Sequence, residues 1–259
     1  MIINIAGGRG VMGKVHKPIF EAAGHKVIIS GRNTIPGFEE AAKISDLTIV
    51  SVPIEATEEI IKKISPYCRA IMDFTSLKKF PIDAMLKYSS VDCEAGGLHP
   101  LYGEVNSVKD RTVVYCPTKK SGEKCKEIVR CLEIAGAKII VLDAEEHDKQ
   151  MAIVQNARKK LFEAYGLLIE QSGFNIKELY EISPPPTKIL IDLIARQADE
   201  QSEELYNAME KYNPNDSNVK KHLIESLENS REASKKIRNL FGKELRNSQE
   251  RARKLIERD

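Results

Sequence analysis

His99 is the residue of this chain best suited by type and setting to move a proton. It stands in the segment Gly97-Leu98-His99-Pro100-Leu101-Tyr102-Gly103, where glycines and a proline predict a turn. Because an imidazole titrates near neutral pH and a turn leaves it accessible to a ligand, the segment predicts a general base. The competing interpretation is a hydrogen-bonding loop residue without chemistry. The remaining histidines are interpreted as packing, surface or helix-ordering residues: His16, His25, His147 and His222.

A second chemical motif opens the chain, where the apolar residues 2–6 lead into Gly7-Gly8-Arg9-Gly10-Val11-Met12-Gly13. An apolar strand followed by GxGxxG and a helix predicts a dinucleotide-binding turn, rather than a glycine-rich turn without a ligand. Gly8 permits the tight turn, Gly10 lets the backbone approach a diphosphate, and Gly13 lets helix and strand pack closely. The free N–H groups of the helix N-terminus would hold the anion. The predicted cofactor-binding residues are Gly8, Arg9, Gly10, Val11, Met12 and Gly13.

The residues after the second predicted strand bear on which nicotinamide cofactor the chain binds. In NAD-binding versions of this motif, an acidic residue about twenty positions past the glycines binds the ribose 2′-hydroxyl. Here residues 29–33 read Ile-Ser-Gly-Arg-Asn and contain no carboxylate. The guanidinium of Arg32 suits a phosphate, with Ser30 and Asn33 as neutral donors beside it. This favours NADP over NAD as the cofactor. The alternative is that Arg32 is a solvated loop cation and that the enzyme accepts both cofactors.

Two further segments follow predicted strands, where cofactor and substrate meet in folds of this kind. Ser51, Val52 and Pro53 come at the end of the strand-like run 47–52 and are predicted to border the nicotinamide ribose. Residues 73–78, Asp-Phe-Thr-Ser-Leu-Lys, follow the next such run. Both segments are therefore predicted to lie at the edge of the sheet where cofactor and substrate bind.

The elements that must position these residues change type along the chain. Up to about residue 145, short β-rich runs at 26–30, 47–52, 69–74, 112–116 and 138–142 alternate with amphipathic stretches. This predicts βαβ units in an α/β, Rossmann-type, doubly wound and mostly parallel sheet. After that point the apolar residues recur at helical spacing, and the charged stretch 230–259 reads as a solvated helix. We predict a dinucleotide-binding domain at 1–145 and an all-helical domain at 146–259, with substrate in the cleft between them.

Composition excludes several classes of protein. Forty basic and thirty-eight acidic residues leave a net charge of +2, which gives no electrostatic case for nucleic acid or an anionic membrane. No apolar run has the length of a membrane span and no signal peptide is visible, so we expect a cytoplasmic protein. The five cysteines lack paired CxxC spacing, which predicts reduced thiols, no disulfides and no metal site.

Several of these motifs occur together in an order that resembles the prephenate dehydrogenase family of tyrosine biosynthesis. They are residues 7–13, 52–54, 73–78, the HPLYG segment 99–103, and the EHDKQMAIVQ segment 146–155. The resemblance implies a nucleotide-binding domain and a helical dimerisation domain, hence a homodimer. It implies that His99 takes the proton of the prephenate 4-hydroxyl while hydride passes to NAD(P)⁺, and that carbon dioxide then leaves. It also implies that Ser76 orients either the histidine or the substrate 4-oxygen.

Two positions depart from the family's pattern. Lys159 stands where the family has a histidine facing the substrate, and Asn215 stands where it has an arginine that grips a carboxylate. Arg158, Lys159 and Arg196 are the cations that could bind the dicarboxylate instead, with Lys159 and Arg158 as the chosen candidates. The alternative for residues 158–160 is a solvated helix face. Three hypotheses therefore stay open: an NADP-preferring prephenate dehydrogenase, a relative acting on an amino analogue or another hydroxy acid, and a dinucleotide-binding protein without turnover. The chain could also be one module of a longer polypeptide.

Overall fold

The computed structural model describes residues 1–198, 200–228 and 233–256, and it divides into two compact units, Met1–Met151 and Ala152–Asp259. The division falls a few residues beyond the predicted boundary at 145. The reason is that the helix Ala144–Met151 buries His147 and Asp148 within the first unit. Within the described ranges, every helix is too short or too polar to span a bilayer.

The first unit is built on one seven-stranded sheet with the order β2-β1-β3-β4-β5-β6-β7. All neighbouring strands run parallel except β5 and β6, which are antiparallel. The prediction of a Rossmann-type, mostly parallel sheet is confirmed. The strands are β1 (Ile2–Ala6), β2 (Lys26–Ser30), β3 (Leu47–Val50), β4 (Ala70–Asp73), β5 (Glu94–Pro100), β6 (Thr112–Pro117) and β7 (Lys138–Val141).

Helices cover both faces of this sheet, as a buried parallel sheet requires. They are α1 (Val11–Ala22), α2 (Phe38–Ile44), α3 (Ile54–Ile64), α4 (Lys79–Tyr88), α5 (Glu123–Ile134) and α6 (Ala144–Met151). Side chains alternate along each strand, so Ile49 and Met72 pack in the core shared with α1 and α5. Their neighbours Val50 and Ile71 pack in the opposite core with α3 and α4.

The structure corrects the prediction of a turn around His99. His99 lies within β5 and pairs with Val114 of β6, and its side chain is 2% exposed. Gly97, one of the two glycines that suggested a turn, serves close packing instead. A Cβ atom on Gly97 would lie 2.9 Å from Cδ of Lys78 and 3.1 Å from Cδ1 of Ile82, so only glycine fits between the strand and these side chains.

His16 is also more deeply placed than a surface residue. It is fully buried in α1, with Nδ1 2.7 Å from the carbonyl oxygen of Met12 and Nε2 3.0 Å from the hydroxyl of Tyr102. Its ring lies against Phe74 at 4.4 Å between centroids. Burial lowers the pKa of His16 to about 4, so the ring is neutral at pH 7 and can donate through one nitrogen while accepting through the other. His16 therefore ties α1 to the segment that follows His99.

The described residues of the second unit form helices joined by short loops, with no strand among them, which confirms the prediction of an all-helical domain. It begins with a π-helical segment, Ala152–Ala157, and Gly173 ends the next helix in the left-handed conformation. The helices are α7 (Arg158–Ser172), α8 (Ile176–Ile182), α9 (Pro185–Gln197), α10 (Glu200–Tyr212), α11 (Asp216–Glu228), α12 (Ala233–Phe241) and α13 (Leu245–Ile256). Of the predicted charged helix 230–259, residues 230–232 and 257–259 lie outside the described residues.

Candidate active site

The glycine-rich turn after β1 has the shape that a dinucleotide needs. Gly7 adopts φ 85°, and a Cβ atom on Gly8 would lie 2.5 Å from Cδ1 of Ile29. A Cβ atom on Gly13 would lie 2.0 Å from the carbonyl oxygen of Gly8, so helix and turn touch backbone to backbone. At Gly10 the nearest atom would be 3.6 Å away, which leaves that face of the turn open to a ligand.

The N-terminus of α1 is free to receive an anion. Gly10 is its N-cap, no side chain caps it, and its first turn holds no acidic residue. The first helical hydrogen bond runs from Lys14 N to Gly10 O, so the N–H groups of residues 11–13 have no helical carbonyl to bind. Uncapped N–H groups and the positive end of the helix dipole suit a diphosphate. The residues present therefore fit a dinucleotide.

A cleft of about 870 Å³ opens beside this turn. Five of the predicted cofactor residues line it: Gly10, Arg32, Ser51, Val52 and Pro53. Further charged residues line it that the sequence analysis did not single out, namely Glu39, Glu40, Glu59 and Lys63. The cleft therefore carries both cations and carboxylates beside the turn.

The other predicted cofactor residues do not line this cleft. Gly8 and Gly13 are buried in the packing of turn and helix, and Arg9, Val11 and Asn33 are exposed. Ser30 is 1% exposed, and its hydroxyl has no hydrogen-bond partner among the described residues. Ser30 thus does not line the cleft, because the last residue of β2 points its side chain into the interior.

His99 is held by a chain of hydrogen bonds. Its Nδ1 lies 2.9 Å from Nε2 of His147, whose Nδ1 lies 2.8 Å from Oδ1 of Asp148. Asp148 is fixed in turn by backbone donors, since Lys78 N donates to Oδ1 at 2.8 Å and Lys79 N donates to Oδ2 at 3.0 Å. His99, His147 and Asp148 are each at most 2% exposed as whole residues.

The hydrogen bonds from Asp148 through His147 to His99 determine which nitrogen of each ring carries a proton. An ionised Asp148 can only accept, so His147 donates through Nδ1 and its Nε2 is an acceptor. His99 then donates through Nδ1, which leaves Nε2 of His99 unprotonated. Burial, with the ammonium of Lys78 acting in the same direction, holds the pKa of His99 well below its ordinary value of 6.5, so the ring is neutral at pH 7. The arrangement therefore presents a neutral imidazole with one free lone pair.

A buried ion pair lies beside this hydrogen-bonded chain. The ammonium of Lys78 bonds the carboxylate of Asp73 and donates to the carbonyl oxygen of Leu98 at 2.8 Å. Burial raises the pKa of Asp73, while Lys78 and the N–H of Thr75 act in the opposite direction. Lys78 therefore contacts both ends of the hydrogen-bonded chain: its ammonium binds the backbone next to His99, and its backbone N–H binds the carboxylate of Asp148.

Ser76 lies between these residues in sequence but does not hold His99. It is half-buried on the segment that joins β4 to α4. The Nδ1 atom that an orienting hydroxyl would bind is taken by His147. Of the two roles that the resemblance implies for Ser76, orientation of the histidine thus belongs to His147, and a contact with the substrate oxygen is what is left for Ser76.

In the second unit, Lys159 is already paired with carboxylates. It is 5% exposed, and its ammonium lies 2.8 Å from Glu163 and 3.0 Å from Glu210. Its neighbour Lys160 lies 2.9 Å from Glu210 and 3.0 Å from Asp216. Two lysines thus face three carboxylates, and this cluster has no surplus positive charge for a substrate anion.

Arg158 has a different setting. Its guanidinium donates to the hydroxyl of Tyr206 and lies over the rings of Phe162 and Tyr206, 5.8 and 5.5 Å from their centroids. Arg158 is exposed, and it forms no ion pair with the described acidic side chains. Stacking holds the guanidinium in place without neutralising it, so Arg158 can still pair with a carboxylate.

Asn215, which stands at the family's arginine position, takes part in the turn between α10 and α11. Its backbone and side-chain nitrogens donate to Oδ1 of Asn213 at 3.0 and 3.1 Å. The next residue, Asp216, accepts from Asn156 at 2.9 Å. The position therefore has a structural role in this chain.

Comparison with known proteins identifies the family. A family model for the prephenate dehydrogenase nucleotide-binding domain matches residues 10–141, and this chain belongs to the prephenate dehydrogenase family. The probable arogenate/prephenate dehydrogenase of Methanocaldococcus jannaschii is 30% identical over 234 residues, covering 83% of this chain and 52% of the relative. The T-protein of Enterobacter agglomerans is 28% identical over 195 residues, covering 74% and 52%. The chain spans about half the length of these curated relatives.

Solved structures agree on the fold. A crystal structure of prephenate dehydrogenase from A. aeolicus, in complex with hydroxyphenyl propionate and NAD⁺, superposes with a TM-score of 0.68. It is 20% identical, and the match covers 100% of this chain and 98% of that chain. At this identity the likeness shows that the fold is shared. The resemblance drawn from the ordered motifs is confirmed.

Sequence reasoning missed the two residues that orient His99. His147 was assigned to ordering a helix, because its neighbours in sequence are charged and its partner is 48 residues away. Asp148 was not singled out. A signal was nevertheless present, since both belong to the EHD residues 146–148 that helped to define the resemblance.

Proposed function

We propose that this chain catalyses the NAD(P)-dependent oxidative decarboxylation of prephenate to 4-hydroxyphenylpyruvate. The observation that carries the proposal is the hydrogen-bonded chain from Asp148 through His147 to His99. Hydride transfer from an alcohol carbon requires a group that accepts the hydroxyl proton, and Nε2 of a neutral, oriented His99 is such a group.

Each step of the proposed reaction is assigned to a particular group. Bound nicotinamide would accept the hydride from the carbon that bears the 4-hydroxyl. His99 takes the hydroxyl proton on Nε2, and its new charge is stabilised through the Nδ1–H that it donates to His147. Ser76 hydrogen-bonds the 4-oxygen. The ring carboxylate then leaves as carbon dioxide, the electrons of the broken C–C bond complete the aromatic ring, and the 4-oxygen takes back a proton to give the phenol.

The direct test is reduction of NADP⁺ and of NAD⁺, followed at the nicotinamide absorbance band with prephenate as substrate. Arogenate, an amino analogue, is the second substrate, because the name of the M. jannaschii relative covers both. Turnover of prephenate supports the proposal. Turnover of arogenate or another hydroxy acid alone assigns a different substrate, and cofactor binding without any turnover makes this a dinucleotide-binding protein.

For the cofactor we propose NADP in preference to NAD, with Arg32 binding the 2′-phosphate. Arg32 lines the cleft beside the glycine turn. Arg32→Ala is expected to raise the Kd of NADP⁺ about 10- to 100-fold, since a hydrogen bond to a charged group contributes about 1.5–3 kcal/mol. The Kd of NAD⁺ serves as an internal control and should change little. Equal losses for both cofactors, measured by fluorescence titration, would remove Arg32 from the phosphate site.

For the substrate carboxylates we propose Arg158 as the main cation, with Lys159 in a secondary role. Arg158→Ala is expected to raise KM for prephenate about 10- to 100-fold, because a guanidinium fork to a carboxylate is lost. Lys159→Ala should raise KM less, since Glu163 and Glu210 already pair with that lysine. Steady-state kinetics of both variants decide this, and an unchanged KM for Arg158→Ala would assign Arg158 to a solvated helix face.

We also propose that the chain forms a homodimer through its helical unit. This unit exposes many large apolar side chains for its size, which a lone helical layer cannot bury. They include Leu167, Leu168, Phe174, Ile182, Leu193, Leu227 and Leu240, each at least 41% exposed. Light scattering after size exclusion should report the mass of two 29.1 kDa chains. A single-chain mass across the micromolar range would contradict the dimer.

A further inference from the structure

We propose that His25, Glu127 and Cys131 form a binding site for a thiophilic divalent metal ion, with Zn²⁺ as the best match. The three ligand atoms all lie within 4.8 Å of one another. Nε2 of His25 is 3.2 Å from Oε1 of Glu127 and 3.4 Å from Sγ of Cys131, and that sulfur is 3.9 Å from Oε1.

These separations are close to the edges of a zinc coordination tetrahedron. Zinc binds nitrogen and carboxylate oxygen at about 2.0–2.2 Å and sulfur at about 2.3 Å, so tetrahedral ligand atoms lie roughly 3.3–3.6 Å apart. The N–O, N–S and S–O separations need to change by only a few tenths of an ångström to reach that geometry. One nitrogen, one oxygen and one sulfur ligand suit zinc, whereas magnesium and calcium prefer oxygen alone.

The fold brings the three residues together from two places. Glu127 and Cys131 are four residues apart on α5 and therefore share one face of that helix. His25 follows Gly24, whose φ of 84° turns the chain out of α1 towards β2. Because His25 is remote from α5 in sequence, no CxxC or HxxxH spacing reveals the cluster, and the sequence analysis predicted no metal site.

Neighbouring groups orient the ligands towards a common point. Nε of Arg130 donates to Oε2 of Glu127 at 2.9 Å, which leaves Oε1 as the atom that faces His25. Hydrogen bonds to ligating carboxylates fix metal ligands in known sites. The Glu127 side chain is 31% exposed, so an ion can enter and a water can complete the coordination.

Without an ion the three groups form a hydrogen-bonded cluster. Burial raises the pKa of the Cys131 thiol to about 11, with Glu127 acting in the same direction. The ion binds the thiolate, so the thiol proton leaves as the metal–sulfur bond forms. No oxidation is involved. The site lies on the α1 and α5 side of the sheet, and the proposal is independent of the proposed function.

The test uses Co²⁺ as a spectroscopic probe of the full chain, treated with a chelator and kept reduced. We expect one Co²⁺ per chain, with a thiolate-to-cobalt charge-transfer band in the near ultraviolet that Zn²⁺ abolishes by displacement. Cys131→Ser should lose the band. His25→Gln and Glu127→Gln should bind Co²⁺ at least about 10-fold more weakly.

Two controls separate this site from other cysteines and histidines. Cys125→Ser changes a buried cysteine of the same helix outside the cluster, and His222→Gln changes an exposed histidine of α11; both should keep the band. Zn²⁺ should raise the Tm of the unaltered chain and of His222→Gln but not that of His25→Gln. Absence of the band in the unaltered chain, or its persistence in Cys131→Ser, would overturn the proposal.

Discussion

Replacement of His99 by asparagine is expected to lower kcat for prephenate oxidation by about 10²- to 10⁴-fold, the usual contribution of a general base. An asparagine side chain is smaller, but its amide nitrogen lies near the position of Nδ1 and can still donate to Nε2 of His147, so the buried hydrogen bond persists. It cannot take a proton. Because His99 does not line the cofactor cleft, the Kd of NADP⁺ should stay nearly unchanged. Single-turnover kinetics and a fluorescence titration measure the two quantities separately.

The pH profile of the unaltered chain gives an independent check on His99. The free base must be unprotonated to accept the proton, and burial holds the pKa of His99 well below 6.5. As the pH falls through 6.5, kcat/KM should therefore stay level, and it should decline only at lower pH. A decline centred above pH 6.5, or turnover in His99→Asn equal to that of the unaltered chain, would assign the base to another residue.

The sheet could be predicted from sequence because its signals are local. The run 26–30 matches β2 residue for residue, and the run 47–52 ends two residues beyond β3. The setting of His99 could not be predicted in the same way. Gly97 was predicted to begin a turn, yet it lies inside a strand, where Lys78 and Ile82 leave no room for a Cβ atom. That requirement comes from tertiary packing, which no short window of sequence contains.

The ion-pair partners of Lys159 and Lys160 could not be predicted from a short window of sequence either, because most of them lie on other helices. The lysines at 159 and 160 predict a cationic surface when α7 is read alone. In the fold, Glu210 of α10 and Asp216 of α11 lie within 3.0 Å of these lysines and neutralise them. Glu163, at four residues from Lys159, was the one partner visible from helical spacing. Arg158 is distinguished from Lys159 only by this comparison of partners.

Replacement of Asp148 by asparagine is expected to lower kcat by about 10²- to 10⁴-fold, as loss of the carboxylate does in comparable acid–histidine pairs. The reason is the direction of the hydrogen bonds. Both oxygens of Asp148 accept from backbone N–H groups, and Oδ1 also accepts from His147. An amide has only one oxygen to offer. At least one of these donors therefore faces an NH₂ group. If that donor is His147, Nδ1 of its ring becomes an acceptor, and the proton between the rings moves so that Nε2 of His99 is protonated. If the NH₂ group faces Lys79 N instead, the imidazolium that forms at His99 still loses the negative charge that stabilises it.

A matched control separates this effect from simple damage to α6. Asp143→Asn alters an exposed residue whose Oδ1 accepts from Glu145 N at 2.8 Å at the start of the same helix. Both variants perturb α6, but only Asp148→Asn touches the chain that ends on His99. We therefore expect Asp143→Asn to keep kcat within a few-fold, and both variants to keep the Kd of NADP⁺. If Asp148→Asn also keeps kcat, the carboxylate positions the helix and does not set the protonation of His99.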